Sequence, residues 1–231
     1  MIRFRGVKMP ANNDPPSTTR EISMSDIEYF YSAHSAFAYL GSAKLLEIAS
    51  AAGRNIVHKP VYLDEVVKAM DPGGFKGRGK AHRAYYFGRE IERWAEHRGV
   101  PFKVGIPANH FHDMSRANGL LIAGIQQSHN VDRLSHALME AHWSRHADLA
   151  DEVALAEIAS SVGLDPAALL SAALSPEVQS IYKANTAEAI ERLIFGSPTY
   201  FVDGDMFYGQ DHLELVERAF QQPYAETWIR R

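Results

Sequence analysis

Residues Ile27 to Tyr31 form a short run that is apolar or aromatic at almost every position, and from Ala36 the spacing of apolar side chains becomes helical. The pattern predicts a buried strand, a junction at Ser35 and then a helix to about Ala52. Tyr39, Ala43 and Leu46 share one face of that helix, with Leu40, Leu45 and Ile48 spread over the others, so it is expected to be covered on more than one side. Gly53 stops it. Asn55 to Leu63 then reads as a second strand, with Pro60 pushing the segment toward a sheet edge or a bulge. Strand, helix, strand is the opening of a parallel sheet.

From Asp64 to about Ile194 the periodicity is helical. Phe87, Ile91, Trp94 and Ala95 share a face that Gly99 ends; Leu134, Leu138 and Ala141 mark another helix, and Leu155, Ile158, Ala159 and Val162 a third. Asp165-Pro166 and Ser175-Pro176 each place a capping side chain before a proline at the first helical position. Sheet pattern resumes after Ser197-Pro198: Thr199 to Val202, a two-residue Asp203-Gly204 hairpin turn, and Asp205 to Tyr208. Gly209 opens a last helix with Leu213, Val216 and Phe220 inward. This is an α/β chain with the layout of a thioredoxin-like fold carrying a large all-helical insertion. The expected organisation is a mobile leader over 1–24, a discontinuous thioredoxin-like domain over 25–63 and 195–222, helices over 64–194 and a tail over 223–231.

Composition narrows the chemistry. The 231 residues include no cysteine, so any sulfur nucleophile must arrive on a ligand. With 24 basic against 28 acidic residues there is no global basic surface for nucleic acid. The chain has neither a long apolar run nor a secretory signal, and a cytoplasmic location without membrane contact is the expectation. Gly74-Phe75-Lys76-Gly77-Arg78-Gly79-Lys80 fits G-x-x-x-x-G-K, but Ala81 stands where a phosphate loop needs Ser or Thr, and the preceding segment reads helical instead of extended. A basic loop remains, able to meet a carboxylate. His142 and His146 are spaced to share a helix face and His110 and His112 lie close, yet no carboxylate stands at ligand spacing, so no metal site is expected. Adjacent His34 and Ser35 lack a G-x-S-x-G elbow. At the junction, Ser35 is either a helix cap or a hydroxyl aimed with the helix N–H groups at an anion. The Ser197-Pro198 bond is either an ordinary trans link or a cis one that exposes backbone to an extended ligand.

Phe30-Tyr31 through Ser35 to Leu40-Gly41, the Phe195 to Val202 segment, and Met206-Phe207-Tyr208-Gly209-Gln210-Asp211 together resemble the 2-hydroxychromene-2-carboxylate isomerases, relatives of kappa-class glutathione transferases and of bacterial disulfide oxidoreductases. The resemblance implies glutathione as a cofactor that is not consumed, with Ser35 activating its thiol in place of the first cysteine of the oxidoreductases. It further implies a cis Pro198 with the Ser197 backbone pairing with the tripeptide, and Gln210 and Asp211 gripping its γ-glutamyl end. The implied substrate is a small aromatic or chromene carboxylate, met by Lys76, Arg78 or Lys80 at its carboxylate and by Asn109 at a developing oxyanion. Relatives of this kind are usually homodimers and serve aromatic catabolism. This chain departs from the family pattern at Ala36, Ala38, Ser32 and His212. A kappa-like transferase conjugating small electrophiles, and a non-catalytic binder of glutathione or peptide, share the same fold and are the alternatives.

Overall fold

The computed structural model describes residues 26–71 and 79–225. The expected leader, Lys76 and Arg78, and the end of the tail lie outside them. Strand β1 (Asp26–Tyr31) is buried at every position and forms the centre of the sheet. It pairs in parallel with β2 (Asn55–Pro60) and antiparallel with β3 (Thr199–Val202), and β3 pairs antiparallel with β4 (Asp205–Tyr208), giving the order β2-β1-β3-β4. Parallel neighbours need a crossover, and α1 (Ala36–Ala51) supplies it. Asp203 and Gly204 both take positive φ in the β3–β4 turn, as a primed two-residue hairpin requires.

Strand β2 stops at Pro60, three positions before the expected end at Leu63, which is instead the first residue of α2 (Leu63–Met70). The Tyr62 amide donates to Thr186 Oγ1 (3.0 Å) and so leaves the ladder. The remaining helices between β2 and β3 are α3 (Lys80–Ala84), continuing through a π turn (Tyr85–Arg89) into α4 (Glu90–Arg98), then α5 (Ser115–Gln126), α6 (Asp132–Arg145), α7 (Glu152–Ser161), α8 (Pro166–Ala173) and α9 (Pro176–Glu191). Asp165 and Ser175 cap α8 and α9 through their side chains as expected, and Gly99 closes α4 in the left-handed region. Helix α5 has no counterpart in the periodicity. Every residue from Ala117 to Gly124 is buried, so no polar face marks it.

Alternation along β1 divides the core. Ile27, Tyr29 and Tyr31 join the main apolar cluster, which runs without a break through Leu40 and Leu45 of α1 to Leu120, Leu138, Leu155 and Leu169 of the helical block. Phe30 faces the opposite side with Val66, Ala189, Ile194 and Phe201. On that side Glu28 is buried but neutralised: Arg192 donates to both its oxygens (2.6 and 2.9 Å) and Lys59 lies 2.9 Å away. The chain closes with a 3-10 turn (Gln210–His212) and α10 (Leu213–Gln221). The whole is a thioredoxin-like fold with helices inserted between its two halves. No described helix is long and apolar enough to cross a membrane.

Candidate functional site

Ser35 has extended backbone and caps α1, its Oγ accepting from the Ala38 amide at 3.3 Å. The same hydroxyl donates to the Ser197 carbonyl at 3.2 Å, across a chain separation of 162 residues. The Ser197-Pro198 bond is cis. The Ser32 amide donates to Ser197 Oγ (3.3 Å), and the Gly209 amide to the Pro198 carbonyl (3.0 Å). Three segments far apart in sequence, Ser32 to Ser35, Ser197-Pro198 and the turn at Gly209, are thereby fastened together at the N-terminus of α1. The helix field at that end favours an anion.

One flank of this junction is aromatic. Phe37 in the first turn of α1 lies 5.0 Å from Tyr86 of the π turn, Tyr86 hydrogen-bonds Tyr208, and Tyr208 packs against Phe195 at 5.6 Å. A Cβ on Gly196 would meet the Tyr208 hydroxyl at 3.3 Å. Gln210 is 1% exposed. Its Oε1 and its carbonyl both accept from Arg98 (3.1 and 3.0 Å), while its Nε2 is buried without a hydrogen-bond partner. Asp211 is exposed beside Gly209, whose φ of 99° and missing Cβ give the carboxylate its room.

The two remaining expected residues within the described span are Lys80 and Asn109. Lys80 is exposed at the start of α3 and makes no ion pair among the described residues. Asn109 donates through Nδ2 to the His146 carbonyl (3.1 Å), and the atom left buried without a partner is its Oδ1 acceptor. Nδ2 carries two hydrogens, so one N–H of Asn109 is not used by the His146 carbonyl.

The opposite flank is built from residues the sequence did not single out together. Asn118, fully buried on α5, accepts from the Ala33 amide (3.0 Å) and donates to Ser32 Oγ (3.1 Å) and the Tyr182 hydroxyl (3.0 Å). Ser32 Oγ in turn bonds His34 Nδ1 (2.9 Å), so His34 faces Ser32 and not its neighbour Ser35. Trp143 Nε1 donates to the His34 carbonyl (3.0 Å). The His34 ring lies 5.0 Å from His110, whose Nδ1 is 3.0 Å from His142 Nε2, and His142 Nδ1 reaches the Ala147 carbonyl at 3.0 Å. His146 closes α6 with φ 59° and so does not share a helix face with His142, contrary to their spacing. Loss of water contact, reinforced by His110 and His142, pushes His34 down to about 3; His110 is pushed down to about 4 by the same cause and by His142, and His142 is lowered too, again mainly by burial. All three are neutral at pH 7. No metal-holding group of three ligands occurs among the described residues. The available signals were a lone Asn in an apolar run and an unusual count of 11 histidines.

The arrangement offers an anion-favouring helix start, an adjustable hydroxyl, a cis proline beside it and neutral imidazoles, with no thiol of its own. Known proteins resemble the chain over most of its length. The 2-hydroxychromene-2-carboxylate isomerase of Sphingobium xenophagum is 29% identical over 191 residues, 83% of this chain and 95% of that protein. Rat glutathione S-transferase kappa 1 is 25% identical over 216 residues, covering 88% of this chain and 92% of the relative. The solved structure of a 2-hydroxychromene-2-carboxylate isomerase superposes with a TM-score of 0.71 at 25% identity, over 85% of this chain and 95% of that one. The sequence profile of the DSBA-like thioredoxin domain matches residues 26–221, and the chain belongs to that family.

Proposed function

We propose that the protein is a glutathione-dependent isomerase acting on 2-hydroxychromene-2-carboxylate or a close analogue. The observation that carries this reading is the Ser35 hydroxyl hydrogen-bonded across to the carbonyl before cis Pro198 in a DSBA-like chain without cysteine. The absence of cysteine excludes dithiol chemistry by the chain itself, and a hydroxyl at the start of α1 supports a role beside a ligand thiol. The names of the relatives at 25–29% identity point the same way.

The residues present fit glutathione. The Ser197 backbone beside the cis bond would pair with its extended main chain, the exposed Asp211 carboxylate with its ammonium group, and Gln210 Nε2, a buried donor left without a partner, with its carboxylate. Bound glutathione would supply the sulfur nucleophile that adds to the conjugated ring system and is eliminated again after bond rotation, so that it is not consumed. A free thiol has a pKa of about 8.5; a hydroxyl hydrogen bond and the helix field, at about 1 kcal/mol each, lower it by about 1.5, so that about half of the thiol is ionised at neutrality. The Ser197 carbonyl has two lone pairs, so it can accept a ligand amide while the Ser35 hydroxyl turns toward sulfur. The basic segment holding Lys76, Arg78 and Lys80 is assigned to the substrate carboxylate in this reading.

The test is incubation of 2-hydroxychromene-2-carboxylate with the protein, with and without glutathione, followed by chromatography. A trans ring-opened product at constant total glutathione is expected. A stable conjugate with loss of free glutathione would instead favour the kappa-like transferase, the second reading that the rat relative supports. Absence of any thermal shift at millimolar glutathione would remove both.

A further inference from the structure

We propose that His110 is the group that carries a proton between the 2-hydroxyl and the ring oxygen of the substrate, with His142 as the positioning residue that fixes its tautomer. This rests on the isomerase reading above and goes beyond it, because nothing in the Ser35 junction handles the substrate's own protons.

The polarity of the chain follows from its far end. The Ala147 carbonyl can only accept, so His142 Nδ1, 3.0 Å away, carries a hydrogen. A neutral His142 then has its lone pair on Nε2. That atom is 3.0 Å from His110 Nδ1, and two lone pairs do not face each other at this distance, so His110 Nδ1 carries a hydrogen as well. The lone pair of His110 is left on Nε2, which has no hydrogen-bond partner among the described residues. Burial keeps both rings neutral at pH 7, as this polarity requires. The arrangement is that of a base oriented by a second group.

The ring also packs against the residue that precedes Ser35. It is partly exposed, held between His34 and Trp143 with centroids 5.0 and 5.2 Å away, and His34 immediately precedes Ser35. Phe111 stands edge-on to it at 5.0 Å and is 84% exposed, an apolar cover beside the base. His34 is less suited, because its Nδ1 meets a hydroxyl, Ser32 Oγ, that serves either tautomer. His112 is exposed and paired with Asp148 at 2.9 Å.

The step balances without any further reactant. The 2-hydroxyl gives its proton to His110 Nε2, and the O–H electron pair becomes the second bond of a carbonyl at carbon 2. The bond from carbon 2 to the ring oxygen breaks with its pair onto that oxygen, which takes the proton back from Nε2. Nothing is oxidised or reduced, and His110 returns to its starting tautomer.

Two measurements test this. Nitrogen-15 spectra of the histidine rings are expected to show His110 protonated at Nδ1 and bare at Nε2; protonation at Nε2 would overturn the proposal whatever the activity. In turnover assays His110→Gln is expected to lower kcat about 100-fold with KM changed less than about threefold, and added imidazole to restore part of the rate in His110→Ala. His142→Gln should lower kcat less and alter the tautomer ratio at His110, while His112→Gln should match the parent. If the parent turns over substrate and His110→Gln keeps full kcat, the His110 role alone is lost. If the parent turns over none, the isomerase reading falls and the His110 role with it.

Discussion

The Ser35 oxygen accepts from the Ala38 amide while its proton goes to the Ser197 carbonyl, so one hydroxyl both caps α1 and ties it to the cis-proline loop. These contributions separate under mutation. Ser35→Ala removes a cap bond worth about 1 kcal/mol and should lower the melting temperature by roughly 2–4 °C, leaving the fold intact. The same change should cut glutathione-dependent turnover by about 100-fold or more, since the hydroxyl at the start of α1 is lost. Undiminished turnover in a folded Ser35→Ala protein would be incompatible with the thiol-activating role.

Among the elements, α5 is the one that the hydrophobic pattern did not announce, and it is also the one that supplies Asn118 to the site. Its burial depends on close approach to α8: a Cβ on Gly119 would lie 2.1 Å from the Ala173 carbonyl oxygen, which Gln179 Nε2 already holds at 2.8 Å. Gly119→Ala should therefore cost about 2 kcal/mol or more, read as a lower urea midpoint, because a bonded backbone carbonyl cannot move aside cheaply. Gly88, inside the π turn with nothing within 4 Å of its Cβ position, is the internal comparison. Gly88→Ala should be neutral or stabilise by up to about 1 kcal/mol. Equal effects of the two changes would contradict the packing described for α5 and α8.

On the scale of the whole molecule, three neutral histidines make stability sensitive to acid. His34, His110 and His142 all have folded-state pKa values below the ordinary 6.5, so between that value and about 3, where His34 titrates last, these groups bind more protons in the unfolded chain than in the folded one. Stability is fully present above pH 6.5 and falls as the pH drops below it. Glu28 adds to the loss at lower pH: burial would raise its pKa, but Arg192 and Lys59 outweigh burial and hold it below 4.5, so its contribution present above 4.5 is lost on further acidification. Melting temperatures should decline between pH 7 and 5, and His110→Gln should flatten that decline. A flat profile in the parent protein would mean that these imidazoles are not held neutral. Because one apolar cluster runs from β1 to the helical block, the loss should appear as a single transition by fluorescence and circular dichroism.

Much of this was legible in the order of residues because the signals are local. Period-2 and period-3.6 patterns, Gly99, Asp165-Pro166, Ser175-Pro176 and Asp203-Gly204 act within a few positions of themselves, and they marked most of the elements and their ends. The absence of cysteine settled by itself that no dithiol chemistry is available. Ser35 was readable as a strand-to-helix junction, and Ser197-Pro198 as a bond open to either isomer. What tertiary structure alone decided is what those residues face. Hydrogen bonds across 162 residues, from Ser35 to Ser197, and 85, from Ala33 to Asn118, leave no mark in local pattern, since either partner is compatible with many neighbours. The same holds for the histidines: spacing along the chain suggested His142 with His146, whereas α6 ends at Arg145 before His146 and packing set His142 against His110. Local propensity determines where elements begin and end, and burial in a shared core determines which side chains meet.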